Sequence, residues 1–208
     1  MKKLVLVLSV IFAALSVSAQ AAEGNAEAGK AKAAICAACH SMDGNSMVPL
    51  YPKLAGQHAP YLTKQLHDFK SAATSGGKEG RNDPIMAGFV MALSDQDMAD
   101  LAAYFASQKV THTPAAEFPA IGKKLYEAGD AERGIPACMA CHGPAGKGMG
   151  LAGFPSLTGQ HATYIKSQLN KFKMGQRHND LNGMMEGVAK KLNDSDIDAI
   201  TQYIASLK

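Results

Sequence analysis

The 208-residue chain has no tryptophan, and aromatic residues make up only 6% of it, which excludes a core rich in large aromatic side chains. Charged residues make up 19% and apolar residues 47%, so the chain is not the highly charged, weakly hydrophobic kind that stays disordered. No cluster of lysine and arginine is long enough to form a nucleic-acid footprint. These absences leave a globular protein that does not bind nucleic acid.

Long hydrophobic runs are also scarce, and the clearest one lies at the N-terminus. Lys2 and Lys3 precede an apolar run over residues 4–15, and Ala19-Gln20-Ala21 fits a small-x-small cleavage site. The run is shorter than the ~20 apolar residues that a membrane-spanning helix needs. We therefore predict a signal peptide over residues 1–21, cleaved after Ala21, and an exported, periplasmic protein. An uncleaved membrane anchor is the alternative.

The rest of the sequence contains two related halves. Cys-x-x-Cys-His occurs at residues 36–40 and again at 138–142, and these motifs contain all four cysteines. A longer motif, Pro-x-Leu-x-Gly-Gln-His-Ala-x-Tyr, occurs at residues 52–61 and again at 155–164. A repeat this long is too large for a solenoid unit and indicates a duplicated domain.

The repeat extends to both ends of the halves. The closing segments 93–109 and 192–208 resemble each other, and Gly24-Asn25-Ala26-Glu27 is echoed by Gly129-Asp130-Ala131-Glu132. A polar, proline-containing stretch separates the copies and is a suitable linker. We predict an N-terminal domain over residues 22–110, a linker over 111–119 and a C-terminal domain over 120–208.

Each half is predicted to be all-α. Ser94-x-x-Asp97 and Asn193-x-x-Asp196 are pairs that cap helix N-termini. Apolar residues recur behind them at the spacing of one helix face. These are Met98, Leu101 and Phe105 in the first half, and Ile197, Ile200 and Ile204 in the second. A second helix is predicted around residues 61–69 and 164–172, and glycine-rich loops are predicted over 71–80 and 175–183.

The chemistry lies in the two Cys-x-x-Cys-His motifs. On a helix, residues i, i+3 and i+4 share one face, so two sulfurs and an imidazole point at one object. This pattern attaches a haem through two thioethers and supplies one axial ligand to its iron. A redox disulfide lacks its βαβ context, and a zinc site requires both pairs to meet. We predict two covalent haem c groups, held by Cys36, Cys39, Cys138 and Cys141, with His40 and His142 as axial ligands.

The sixth iron ligand must be chosen among eleven methionines. Aligning the halves superposes Met86 on Met185, each in a Met-x-Gly segment ahead of the last helix. Met47 and Met149, each seven residues after the haem histidine, form a competing pair. Because those two leave from the histidine side of the haem, Met86 and Met185 are favoured. Because Met184 is adjacent to Met185, a shift of one residue in the alignment would make Met184 the ligand of the second site.

Together these motifs resemble the cytochrome c4 family, the two-haem class I cytochromes c. The resemblance implies two tandem cytochrome c folds related by a pseudo-twofold axis, with neighbouring haems. It also implies periplasmic electron transfer from a quinol-oxidising complex of the bc1 type toward a terminal oxidase. Pro52 and Pro155 resemble the family's proline, whose carbonyl accepts a hydrogen bond from the haem histidine; a proline that merely fixes a turn is the alternative.

Two further pairs of residues are repeated in the two halves. His58 and His161 precede a predicted helix start, and we expect them at the surface rather than on a second iron position. Tyr61 and Tyr164 are expected either to lie near the haem or to pack in the core.

With His and Met on each iron, both axial positions are filled, which favours electron shuttling over substrate binding. We therefore expect a non-enzymatic electron carrier with redox proteins as partners; peripheral association with a membrane stays open. The alternatives are a two-haem peroxidase, in which one iron must open, and a haem subunit of a flavin-containing dehydrogenase.

Charge predicts an order for the two haems. Residues 22–113 carry 8 basic and 9 acidic side chains, whereas residues 114–208 carry 11 basic and 9 acidic ones. Because reduction adds an electron, the more positive half favours it. We predict that the C-terminal haem has the higher potential, so that electrons enter at the N-terminal haem.

Overall fold

The computed structural model describes residues 23–112 and 117–208. The predicted signal peptide and residues 113–116 of the predicted linker lie outside the described residues. No helix in the described part of the chain is long and apolar enough to cross a membrane.

Within the described residues, each half contains five α-helices in the same order, together with isolated bridges but no strand. The predicted all-α fold of two tandem domains is thus confirmed. The first half contains α1 (Ala26–Lys32), α2 (Ala34–His40), α3 (Ala59–Ser75), α4 (Pro84–Val90) and α5 (Asp95–Ser107). The second contains α6 (Ala120–Glu127), α7 (Met139–His142), α8 (Ala162–Lys173), α9 (Met184–Ala189) and α10 (Asp194–Ser206), with short 3₁₀ helices at Gly150–Ala152 and Leu181–Gly183.

The first and last helices of each half cross at a glycine. A Cβ added at Gly29 of α1 would lie 2.0 Å from the carbonyl oxygen of Asp100 in α5. A Cβ added at Gly122 of α6 would lie 2.1 Å from the carbonyl oxygen of Ala199 in α10. Only glycine permits such close backbone approach, so both halves are built on the same helix crossing.

The last helices begin as predicted. Ser94 and Asp97 form a reciprocal capping box at the start of α5, and Asn193 and Asp196 form another at the start of α10. The predicted apolar faces of these helices are buried. Around them lie two hydrophobic cores, one per half, which the structure keeps separate.

Two details of the predicted repeat are wrong. Residues 24–27 lead into α1, whereas residues 129–132 follow α6, so these segments occupy different places despite their similar sequences. The glycine pair Gly29 and Gly122 marks the true correspondence. The predicted loop over 71–80 also begins too early, because α3 continues to Ser75 before Gly76 ends it in a left-handed conformation.

Candidate functional site

The cysteine motifs lie at the end of a helix in both halves. Helix α2 carries Cys36 and Cys39, and both side chains are half-buried. Cys138, which directly precedes α7, and Cys141 within α7 are half-buried as well. Burial raises the pKa of the Cys36 thiol to about 11 and that of the Cys138 thiol to about 11. The first cysteine of each motif thus lies against the hydrophobic core of its own half.

The histidine that ends each motif is held by a backbone carbonyl. The Nδ1 atom of His40 lies 2.8 Å from the Pro52 oxygen, and that of His142 lies 2.9 Å from the Pro155 oxygen. Both rings are buried, and burial lowers the pKa of each imidazole. A neutral ring that donates from Nδ1 keeps its Nε2 lone pair free for a metal.

The candidate methionines differ in their surroundings. Met86 on α4 and Met185 on α9 are half-buried and pack against the hydrophobic core of their own half. The competing residues are far more accessible, since Met47 is 86% exposed and Met149 is 56% exposed. Met184, the neighbour of Met185, is 38% exposed. The described geometry therefore favours the pair that duplication selected.

Met86 lies on α4 and Met185 lies on α9, and the N-termini of these two helices are capped differently. The Asp83 carboxylate accepts hydrogen bonds from the backbone N–H groups of Ile85 and Met86, and Pro84 occupies the first turn. In the second half Gly183 precedes α9 in a left-handed conformation, after a 3₁₀ turn.

A buried polar cluster joins the two halves. Arg81 donates to the side-chain oxygens of Gln65 (2.8 Å) and Gln168 (2.8 Å), and Arg177 donates to the same two oxygens at 3.1 and 2.9 Å. Each guanidinium also lies over a phenylalanine ring of its own half. The contacts are reciprocal, as expected of two domains related by a pseudo-twofold axis.

The repeated tyrosines belong to this cluster. The Tyr61 hydroxyl accepts from Arg177 at 2.9 Å, and the Tyr164 hydroxyl accepts from Arg81 at 3.0 Å, so each bond crosses between halves. Neither Arg81 nor Arg177 is predicted as a functional residue from the sequence. Their one available signal was that an arginine precedes each candidate methionine, but at unequal spacing.

The prediction that His58 and His161 lie at the surface is wrong. Both are half-buried between the halves, where His58 Nε2 lies 2.9 Å from the Lys147 oxygen and His161 Nε2 lies 2.8 Å from the Ser46 oxygen. They face the interface because each precedes a helix, α3 or α8, that packs at the junction. Within residues 23–112 and 117–208, no group of three or more His, Cys, Asp or Glu side chains is placed to hold a metal ion.

Comparison with known proteins agrees with this duplicated site. The family described as cytochrome c matches residues 26–109 and again residues 119–208. Cytochrome c4 from Stutzerimonas stutzeri is 50% identical over 192 residues, covering 89% of this chain and 90% of that protein. The chain belongs to the cytochrome c4 family.

Two further comparisons extend this assignment. The crystal structure of reduced recombinant cytochrome c4 from Pseudomonas stutzeri superposes with a TM-score of 0.85 at 48% identity, covering 89% of this chain and all of that one. A thiosulfate dehydrogenase electron acceptor from Stutzerimonas stutzeri strain A1501 is 41% identical, covering 93% of this chain and 90% of that protein.

As a cytochrome c4, the chain is a two-haem electron-transfer protein with two covalent haem c groups. The residues present fit that cofactor, since each half offers two thiols, a buried histidine with a free Nε2 and an apolar core beside them. Haem, once attached, supplies a one-electron iron couple.

Proposed function

We propose that the protein is a periplasmic electron carrier in which His40 and Met86 bind one haem iron, and His142 and Met185 bind the other. Cys36 with Cys39, and Cys138 with Cys141, form the thioethers. Pro52 and Pro155 orient the two histidine rings through their carbonyl oxygens. Signal-peptide cleavage after Ala21 accompanies export.

The observation that carries the proposal is the equivalence of the two sites. In each, a buried histidine donates from Nδ1 to a proline carbonyl, and a half-buried methionine packs on the same core as the first cysteine of the motif. Two closed His/Met sites favour rapid electron exchange, because ligand loss is not needed when iron changes oxidation state. A peroxidase, in contrast, needs one open iron.

The proposed donor is a quinol-oxidising complex of the bc1 type, and the proposed acceptor is a terminal oxidase. A second candidate partner is a dehydrogenase, because one relative, at 41% identity, is named as the electron acceptor of thiosulfate dehydrogenase. In both cases the chain carries electrons and the partner performs the chemistry.

Ligand variants of the purified holoprotein test the two closed sites. Met86→Ala and Met185→Ala are each expected to retain both haems, lose the red Met–iron charge-transfer band of one haem and lower the potential of that haem alone. Met47→Ala and Met149→Ala are the matched controls and are expected to keep the native spectrum. If the controls lose the band instead, the ligand assignment is wrong.

Carbon monoxide separates the carrier from the peroxidase. The reduced native protein is expected to bind it slowly or not at all, whereas rapid binding at one haem would overturn the two closed sites.

Stopped-flow reduction by a purified bc1-type complex, compared with reduction by thiosulfate dehydrogenase, distinguishes the two donors. Periplasmic fractionation with N-terminal sequencing, expected to begin at Ala22, tests export.

A further inference from the structure

The peptide group that receives the His40 ring is hydrogen-bonded at both ends. Its carbonyl, from Pro52, accepts from His40 Nδ1 at 2.8 Å. Its N–H, from Lys53, donates to the side-chain oxygen of Gln160 at 2.9 Å. Gln160 belongs to the other half of the molecule, so the haem-site peptide of one domain is completed by the other domain.

The second half repeats this arrangement. The carbonyl of Pro155 accepts from His142 Nδ1 at 2.9 Å, and the N–H of the same peptide group, from Ser156, donates to Gln57 Oε1 at 2.8 Å. The Gln57 amide also donates from Nε2 to the Ser156 oxygen at 2.8 Å. Gln57 is buried, and its two bonds to one residue fix its orientation.

Gln160 is fixed in the same way. Its Nε2 donates to the Lys53 oxygen at 2.9 Å, so its amide also makes two bonds to the backbone of a single residue. The amide oxygen is therefore held against the Lys53 N–H, rather than being free to rotate away. Four bonds of 2.8–2.9 Å thus link the two halves directly behind the haem histidines.

Hydrogen bonds in a chain polarise one another. When a peptide N–H donates to an acceptor, the carbonyl of the same peptide becomes more negative and accepts more strongly. A stronger bond from histidine Nδ1 to that carbonyl raises the basicity of the ring as a metal ligand. A more basic ligand stabilises oxidised iron relative to reduced iron and lowers the reduction potential.

We propose that Gln57 and Gln160 are positioning residues that tune the haem of the opposite domain. Gln57 strengthens the carbonyl that holds His142 and lowers the potential of the haem on Cys138 and Cys141. Gln160 does the same through His40 for the N-terminal haem. The inference rests on the proposed iron ligation by the two histidines.

His58 supplies a matched control for this effect. It also bonds across the interface, but its Nε2 lies against the Lys147 oxygen, which is outside the peptide group that holds a haem histidine. A variant such as His58→Leu therefore loses an interdomain hydrogen bond without weakening the Pro52 or Pro155 carbonyl. Any shift that merely reports a looser interface will appear in this control as well.

The test measures both haem potentials of the full holoprotein in Gln57→Met and Gln160→Met, by redox titration followed through the NMR signals of each haem. Gln57→Met is expected to raise the potential of the C-terminal haem and leave the N-terminal haem unchanged. Gln160→Met is expected to raise the potential of the N-terminal haem and leave the C-terminal haem unchanged. The Nδ1 proton of the affected histidine in the reduced protein is expected to shift upfield, as a weakened hydrogen bond requires.

The crossed pattern is what a structural role would not produce. Shifts confined to the mutated domain, equal shifts at both haems, or unchanged potentials with a native fold would overturn the inference. If a Met variant loses haem or fails to fold, Gln57→Asn and Gln160→Asn replace it, because they keep the amide but withdraw it by one methylene, and the same crossed signs are required. If spectra of the native holoprotein show that no histidine binds the iron, the proposed function is refuted instead.

Discussion

The two halves of the molecule are alike at the proposed iron ligands and at the interface between the domains, and different in the segments that connect the helices. Both place a histidine ring on a proline carbonyl, a methionine on a helix beside the core and a glycine at the crossing of the outer helices. Both also contribute one arginine, one glutamine and one tyrosine to the shared polar cluster. The duplicated contacts are those around the proposed iron ligands and those between the domains.

The connection from the first helix to the cysteine motif shows the largest difference. Helix α1 runs almost directly into α2, whereas a longer segment with an isolated bridge at Asp130 and Ile135 separates α6 from α7. Arg133 in that segment forms an ion pair with Asp196, the capping-box partner of Asn193 at the start of α10. In the first half Lys32, from α1 itself, pairs with the equivalent Asp97.

The loop after each haem histidine is also held by different means. Tyr104 on α5 donates to the Met42 oxygen at 3.0 Å, whereas Tyr126 on α6 donates to the Gly143 oxygen at 2.6 Å. Tyr203, which corresponds to Tyr104 in the repeat, bonds to Glu127 instead. In both halves a tyrosine hydroxyl therefore donates to a carbonyl within two residues of the histidine, but the accepting position and the helix that supplies the donor differ.

Loss of both thioethers of one haem is expected to have the largest effect and to be equal in the two halves. The double variants Cys36→Ala/Cys39→Ala and Cys138→Ala/Cys141→Ala each remove every covalent attachment of one haem. Each variant is expected to contain about one covalently bound haem per chain instead of two, with lower thermal stability of that half. Haem content by the pyridine haemochrome assay checks this; two stable covalent haems in either variant would contradict the assignment.

The helix crossings come next. Gly29→Val and Gly122→Val force a side chain against a backbone carbonyl, so we expect each to lower the free energy of unfolding by about 3 kcal/mol, the upper part of the overpacking range. Ala31→Val, on the exposed side of α1, is the control and is expected to cost well under 1 kcal/mol. Denaturant unfolding of the holoprotein measures all three. A large difference between the two glycine variants would show that the crossings are not equivalent.

The tyrosines sharpen the contrast between the halves. Tyr104→Phe removes the tyrosine donor of the Met42 carbonyl, and Tyr126→Phe removes one of two donors of the Gly143 carbonyl, which keeps the Gly146 N–H. Each loss is expected to cost about 1 kcal/mol. Tyr203→Phe loses only a bond to the exposed Glu127 and is expected to change stability by a few tenths of that. Thermal unfolding of the three variants compares them. Equal losses at Tyr104 and Tyr203 would mean that sequence correspondence, and not the loop contact, decides the role.

The smallest expected effect is the difference between the two haem potentials. A difference of three charges at about 15 Å in water is worth roughly 0.8 kcal/mol, on the order of 30 mV, and salt screens part of it. The C-terminal haem is expected to have the higher potential. Potentials resolved for each haem at low and high salt check the order; an N-terminal haem at equal or higher potential would contradict the argument from charge.

Sequence alone predicts the local features well, because each pattern is short and occurs in both halves. The capping boxes, the apolar helix faces and the buried histidines all follow from patterns within one half. The partners of Gln57 and Gln160 do not, since they lie 99 and 107 residues away and depend on how the halves pack. The surface placement of His58 and His161 is wrong for the same reason.

The similarity between residues 24–27 and 129–132 predicts a correspondence that the structure does not have. A match of four residues can arise by chance within a true duplication, and the helix crossings show which positions correspond. Arg81 and Arg177 do not align in the repeat, because the segments between them and the methionines differ in length. Residues that act through contacts between domains are thus the ones that a single sequence hides.

Counting the methionines bound to iron tests the central claim most directly, namely that both halves hold haem in the same closed His/Met site. Proton NMR of the fully reduced holoprotein is expected to show two methionine methyl resonances shifted far upfield by the haem ring currents. Met86→Ala is expected to remove one of them and Met185→Ala the other, with Met47→Ala and Met149→Ala retaining both. A single upfield methyl in the native protein, or loss of a signal in either control, would contradict two equivalent sites.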